Sequence, residues 1–143
     1  MPDFIIRTGS LSLSSDPREI KQLLDRLEKI LEMSSLDEMS AFHLRCAVVE
    51  VVNNCIQHAY NYKSGQPIKI VYHIDIDRVR VGVSDRGPAF LGPLEADVTT
   101  FIDESGRGFE IINAWVSNLN FERKNNWNTC WLVKKTKRFQ QLS

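Results

Sequence analysis

No apolar run in the chain approaches a membrane span. Residues 47–52, interrupted by Glu50, fall far short of the roughly 20 apolar residues a spanning helix requires. The polar N-terminus is also unlike a signal peptide, so a soluble, cytoplasmic protein with no membrane partner is expected. Net charge is missing too: 18 basic residues balance 18 acidic ones. A neutral chain has no global field to recruit nucleic acid or anionic lipid, which leaves partner choice to local surfaces. There are only three cysteines, Cys46, Cys55 and Cys130. They are odd in number, widely spaced and set among apolar neighbours, which fits reduced core thiols better than a disulfide or a zinc site. Two common nucleotide signatures are absent: no Gly-x-x-x-x-Gly-Lys loop, and no Gly-x-Gly-x-x-Gly after the first strand. With 143 residues and no internal repeat or low-complexity linker, residues 1–143 are expected to form one domain burying roughly two-thirds of its unfolded surface.

What is present reads as alternating strands and helices. Residues 4–13 alternate loosely as a first strand. Ser15-Asp16-Pro17 then offers a helix N-cap with proline in the first turn. Ile20, Leu23, Leu24, Leu27, Ile30 and Leu31 follow at helical spacing, and a short connection at 34–37 leads to a second helix over about 37–59. Residues 68–76 and 78–84 alternate as a hairpin pair. Residues 85–105 break the pattern with Gly87, Pro88, Gly92 and Pro93, and so long a loop in a small domain is usually functional; it reads as a nucleotide lid. A third helix opens at 106–108, and 119–122 with 127–134 form a closing hairpin around Asn125-Asn126. This order predicts an α/β two-layer sandwich: a mixed, mostly antiparallel sheet covered on one face by three helices.

Three clusters carry chemistry. On a helical wheel at about 100° per residue, Glu50, Asn54, Gln57, His58 and Asn61 share one arc, with Asn53 at its edge. Leu44, Val48, Val51, Val52, Cys55, Ile56 and Ala59 make the opposite side apolar, so the arc faces water or lines a pocket. Lacking lysine and arginine, it offers a carboxylate and amide oxygens one turn apart, which are ligands suited to a hard cation such as magnesium. The second cluster, Asp85-Arg86-Gly87, closes an apolar strand. Its acidic side chain can accept a hydrogen bond from an exocyclic amine such as that of adenine, and its glycine lets a ring approach the backbone. Asp-x-Gly is equally ordinary turn chemistry. The third, Ser105-Gly106-Arg107-Gly108-Phe109, leads into a helix whose free N–H groups and dipole would favour an anion. A tight entry turn is the bland alternative.

Taken together, a Glu-x-x-x-Asn helix, a strand ending in Asp-x-Gly, a lid and a Gly-x-Gly helix start resemble the Bergerat-type (GHKL) ATPase domain shared by gyrase, heat-shock-protein-90-type chaperones, mismatch-repair proteins and histidine kinases. Residues 49–60 (Val-Glu-Val-Val-Asn-Asn-Cys-Ile-Gln-His-Ala-Tyr), 85–90 (Asp-Arg-Gly-Pro-Ala-Phe) and 106–109 (Gly-Arg-Gly-Phe) resemble more narrowly the anti-sigma-factor serine/threonine-protein kinases of the RsbW and SpoIIAB type. The resemblance covers nearly the whole chain and implies ATP and Mg2+ as cofactors. It makes Glu50 the general base toward a substrate serine and Asn54 the magnesium ligand. Asp85 would hold the adenine amine with Gly87 beside the ring, and Ser105, Gly106 and Gly108 would line the phosphates, followed by Phe109. Arg107 would stabilise the transferring phosphoryl group or simply point to solvent. The implied partners are a STAS-domain antagonist as phosphoacceptor, a captured sigma factor or other regulator, and a second copy of the chain joined through the first strand. The third helix ends Ala114-Trp115-Val116-Ser117-Asn118 where many relatives carry an aspartate, so a partner-facing surface there is expected to differ. Two other readings stand beside this one. A histidine-kinase ATPase domain is disfavoured because His43, His58 and His73 all lie inside the ATP-binding portion. A nucleotide-gated sequestering module without phosphoryl transfer is disfavoured by Glu50.

Overall fold

In a computed structural model of the chain, residues 6–88 and 108–137 are described, with side chains from 112 onward in the second stretch. Strand β1 spans Arg7–Ser14. Asp16 then accepts a hydrogen bond from the Arg18 N–H at 3.0 Å. A short 3-10 turn, Pro17–Glu19, leads into helix α1, Ile20–Glu32. Helix α2, Glu38–Asn54, starts at Asp37, whose carboxylate accepts from the Ser40 N–H at 2.7 Å and satisfies one of the unpaired donors of the first turn. Strands β2 (Pro67–Ile74) and β3 (Arg78–Asp85) come next. Helix α3 (Gly108–Trp115) and strands β4 (Asn118–Lys124) and β5 (Trp127–Lys135) complete the order.

The five strands form one sheet in the order β1-β2-β3-β5-β4, every neighbouring pair antiparallel, so no parallel pair contributes. The β4–β5 hairpin turns on Asn125 and Asn126, with φ of 53° and 67°. Two successive left-handed residues are what a two-residue loop matched to the strand twist requires, and asparagine tolerates them.

Alternation builds the core. On the helix-facing side, Ile68, Ile70 and Ile74 of β2, Val79, Val81 and Val83 of β3 and Leu132 of β5 are buried against Leu44, Ala47, Val48 and Val52 of α2 and Leu23 and Leu27 of α1. Each of the buried Leu, Ile and Val side chains contributes about 1.5–3 kcal/mol by leaving water. The same register places Ile68 opposite Asp85, and Asp85 opposite Asn128. One end of an otherwise apolar face therefore carries a polar row. On the other face, Gly82 leaves room for the Trp131 ring; a Cβ there would lie 2.8 Å from it.

Several boundaries differ from the sequence expectation. β2 stops at Ile74 rather than 76, because Asp75 turns the chain by accepting from the N–H groups of Asp77 and Arg78. β3 extends through Asp85, making that residue the end of a strand rather than the start of a loop. Helix α2 does not stay α-helical to residue 59. Residues Cys55–Ala59 form a π turn, in which the Tyr60 N–H reaches back five residues to the Cys55 carbonyl at 2.9 Å. Tyr60 anchors this wider turn: its hydroxyl donates to the Pro67 carbonyl at 2.5 Å and accepts from the Arg86 N–H at 2.6 Å. Asn61 and Tyr62 follow in left-handed conformation, outside the helix. Asn61, expected in the polar arc, therefore does not belong to it, and Gln57 and His58 follow Asn54 in the wider π turn.

Leu44, fully buried where α2 meets the sheet, is expected to cost about 2–5 kcal/mol when replaced by alanine, through lost transfer energy and the cavity left behind. Met39→Ala, at an exposed position of the same helix, should stay within about 0.5 kcal/mol. Urea unfolding of the two variants checks both.

Candidate functional site

Asp85 is 8% exposed and closes the apolar face of β3. Burying a carboxylate is costly unless donors replace its water. Three neutral donors do so here. The Gly87 N–H and the Asn128 side-chain N–H reach Oδ1 at 2.9 and 3.0 Å, and the Cys55 thiol donates to Oδ2 at 3.3 Å. Burial pushes the Cys55 thiol well up, and the Asp85 charge adds to this, so the sulfur stays protonated and able to donate. Cys130 is raised in the same way, chiefly by burial and then by Asp85. A carboxylate accepts about four hydrogen bonds. Among the described residues, Asp85 receives three, leaving acceptor capacity on Oδ2.

These contacts join three elements. Cys55, at the start of the π turn, ties the end of α2 to the end of β3. Asn128, on β5, also donates to the Pro88 carbonyl at 2.9 Å and the Gly87 carbonyl at 3.2 Å. Its own oxygen accepts from Arg123 Nη1 at 2.8 Å. Gly87 packs on the helix end: a Cβ there would lie 2.8 Å from both the Cβ and the carbonyl oxygen of Ala59. Glycine is thus required by this packing independently of any ligand. Arg86 points outward over the Trp127 ring, 5.1 Å from its centroid.

Glu50 and Asn54 sit on α2, both half-buried and four residues apart. Residues at that spacing are neighbours on one helix face, about 5–6 Å apart at Cβ. Asn54 is the last residue of α2, one turn after Glu50, and Cys55 beside it touches Asp85, while Gly87 packs on Ala59 just beyond. Of the third cluster, Ser105, Gly106 and Arg107 lie outside the described residues. Gly108 opens α3 as expected, with Phe109 second in it; the side chains of these two also lie outside. Of the cysteines, Cys55 and Cys130 are buried, whereas Cys46 is only half-buried on α2, so the expectation of three core thiols holds for two. Among the described residues no group of three or more His, Cys, Asp or Glu could hold a metal.

Sequence reasoning missed Tyr60, Arg123 and Asn128. A signal for Asn128 was present: counting back by twos from Leu132 and Cys130 places it on the helix-facing side, where a lone amide needs partners.

The histidine-kinase-like ATPase domain matches residues 13–134. The chain belongs to the histidine-kinase-like ATPase family. Membership implies ATP binding and an ATP-using enzyme at the level of the family. Among solved structures, the RsbU and RsbW domains of Rv1364c from Mycobacterium tuberculosis superimpose with a TM-score of 0.63 at 19% identity, over 90% of this chain and 32% of that one. At that identity the likeness establishes the fold, and the ATPase chain spans about a third of that protein. No curated protein sequence matches. No helix among the described residues is long and apolar enough to cross a membrane.

Because thiolate is the reactive form, the buried, protonated Cys55 and Cys130 should resist alkylation of the native ATPase domain at pH 8. Cys46, half-buried and raised less severely by its own desolvation, should be the single labelled site. Mass spectrometry should find one adduct per native chain and three after unfolding in urea.

Proposed function

We propose that this ATPase-family chain is a protein-serine kinase of a partner-switching system. The observation that supports it best is the placing of Glu50 one turn before Asn54 on the helix whose end contacts Asp85. A nucleotide whose adenine amine meets Asp85 would run its phosphates toward Asn54, and a carboxylate one turn further back lies where an attacking hydroxyl would approach. The RsbW domain in the structural neighbour's description agrees with this reading.

The residues fit magnesium. Asn54 offers one amide oxygen one turn from the Glu50 carboxylate, the kind of hard oxygen ligand that magnesium takes alongside phosphates and water. When bound, magnesium supplies charge neutralisation on the phosphate oxygens. The chain's own residues position and exchange protons. Glu50 accepts the proton of the substrate serine and orients its oxygen in line with the γ-phosphorus. Asp85 and Gly87 fix the base, and the glycine-rich segment 105–108 is read as the part that binds the phosphate oxygens, with Arg107 and Phe109 as further nucleotide-binding residues. Positioning of this kind supplies most of the catalysis in phosphoryl transfer. The products are ADP and a phosphoserine. The same reading takes a STAS-domain antagonist as phosphoacceptor, a sigma factor or other regulator as the captured partner, a cytoplasmic location, and a homodimer as the assembly.

Radiolabelled ATP incubated with the STAS-domain proteins of the source organism tests the transfer. Wild type should phosphorylate one of them on serine. Glu50→Gln should lower that rate by about 10²–10⁴-fold, the range of general-base catalysis, with ATP affinity within about threefold. Undiminished transfer by Glu50→Gln would remove Glu50 as the base. ATP binding by wild type with no transfer to any of them would leave a nucleotide-gated sequestering module.

A further inference from the structure

We infer that Asn128 is a positioning residue for base recognition: its side-chain amide fixes the Asp85 carboxylate so that Oδ2, and not Oδ1, is the oxygen offered to the exocyclic amine of adenine. The inference rests on the reading of Asp85 as the base-binding carboxylate and adds the residue that makes it selective.

Asn128 is 4% exposed and faces the helices from β5, directly opposite Asp85. At the end of an apolar strand face a leucine would bury as well, so the amide must be explained by what it holds. Its nitrogen meets only acceptors: Asp85 Oδ1 at 3.0 Å, the Pro88 carbonyl at 2.9 Å and the Gly87 carbonyl at 3.2 Å. Its oxygen meets a donor, Arg123 Nη1 at 2.8 Å. Flipping the amide would set an oxygen against three oxygens and an NH2 against a guanidinium. The orientation is therefore fixed by chemistry. Arg123 Nη1 also donates to the Gly87 carbonyl at 3.3 Å, so the two side chains grip the same stretch of backbone.

The consequence falls on Asp85. Oδ1 takes both the Gly87 N–H and the Asn128 N–H and is committed. Among the described residues Oδ2 takes only the Cys55 thiol, a weak donor. An incoming amine therefore finds its acceptor on Oδ2, in an orientation the carboxylate cannot leave without breaking the Asn128 bond. Remove that bond and only the Gly87 N–H and the weak Cys55 donor still orient the carboxylate; its rotation about the Cβ–Cγ axis is less restrained, and selectivity for an amine at the purine 6-position falls.

The test compares ATP with purine-riboside triphosphate, which lacks only the 6-amino group, by calorimetric titration of wild type, Asn128→Leu and Arg123→Met. Wild type should prefer ATP by on the order of tenfold or more, as expected for a hydrogen bond to a charged group. Asn128→Leu, similar in size but unable to donate, should cut that preference to about threefold or less while binding the amine-free analogue nearly as wild type does. Arg123→Met, at an exposed position whose loss removes the hydrogen bond from Nη1 to the amide oxygen, should move the preference part of the way. A fold defect alone would weaken both ligands together, so an unchanged preference in Asn128→Leu overturns the inference. If Asn128→Leu does not fold, an unchanged preference in Arg123→Met overturns it instead. Wild type that binds both triphosphates equally removes Asp85 as the amine acceptor and the inference with it. Wild type that binds neither removes the ATP pocket itself.

Discussion

A carboxylate held in a nearly dry place by neutral donors is an unstable arrangement unless everything around it stays put, and Asp85 imposes that demand on this domain. Its three donors come from three different segments: the turn after β3, strand β5 and the end of α2. None of them carries a positive charge. The negative charge is therefore solvated by oriented dipoles rather than cancelled, which makes the arrangement sensitive to small displacements. The π turn at Cys55–Ala59, the Tyr60 anchor and the tight seat of Gly87 on Ala59 all bear on the same junction. Insertions of this type in helices recur at functional sites.

Much of this was legible along the chain because it depends on local periodicity. Ile68, Ile70 and Ile74 alternate, Leu23, Leu27, Ile30 and Leu31 recur at helical spacing, and Asn125-Asn126 announces a two-residue turn; each pattern lies in an element of the expected type, with ends a few residues from those expected. Asp85 and Gly87 were legible as a strand-end motif, and Glu50 with Asn54 as a pair one turn apart. The rest needed contacts between residues far apart in sequence. That the helix should widen at Cys55 depends on Tyr60 finding Pro67 and Arg86. That Asn128 matters depends on a register setting it opposite a residue 43 positions away. A wheel drawn at constant angle could not register the widening, and so carried the polar arc on to Asn61, which lies outside the helix.

The family and the chemistry stand on different supports. The histidine-kinase-like ATPase match spans residues 13–134 and fixes the family and its ligand class. What the ATP is used for depends on Glu50, whose place one turn from Asn54 suits a base for an incoming hydroxyl but does not by itself name the acceptor. The proposed base-binding role of Asp85 comes first in that chain of reasoning, since every other proposed role is laid out from the base it would hold.

Calorimetric titration of the purified chain with ATP, with and without magnesium, alongside Asp85→Asn, tests that role most directly. Saturable, magnesium-dependent binding by wild type that weakens at least about tenfold in a folded Asp85→Asn variant is the predicted result. Binding by Asp85→Asn as tight as wild type would contradict the account.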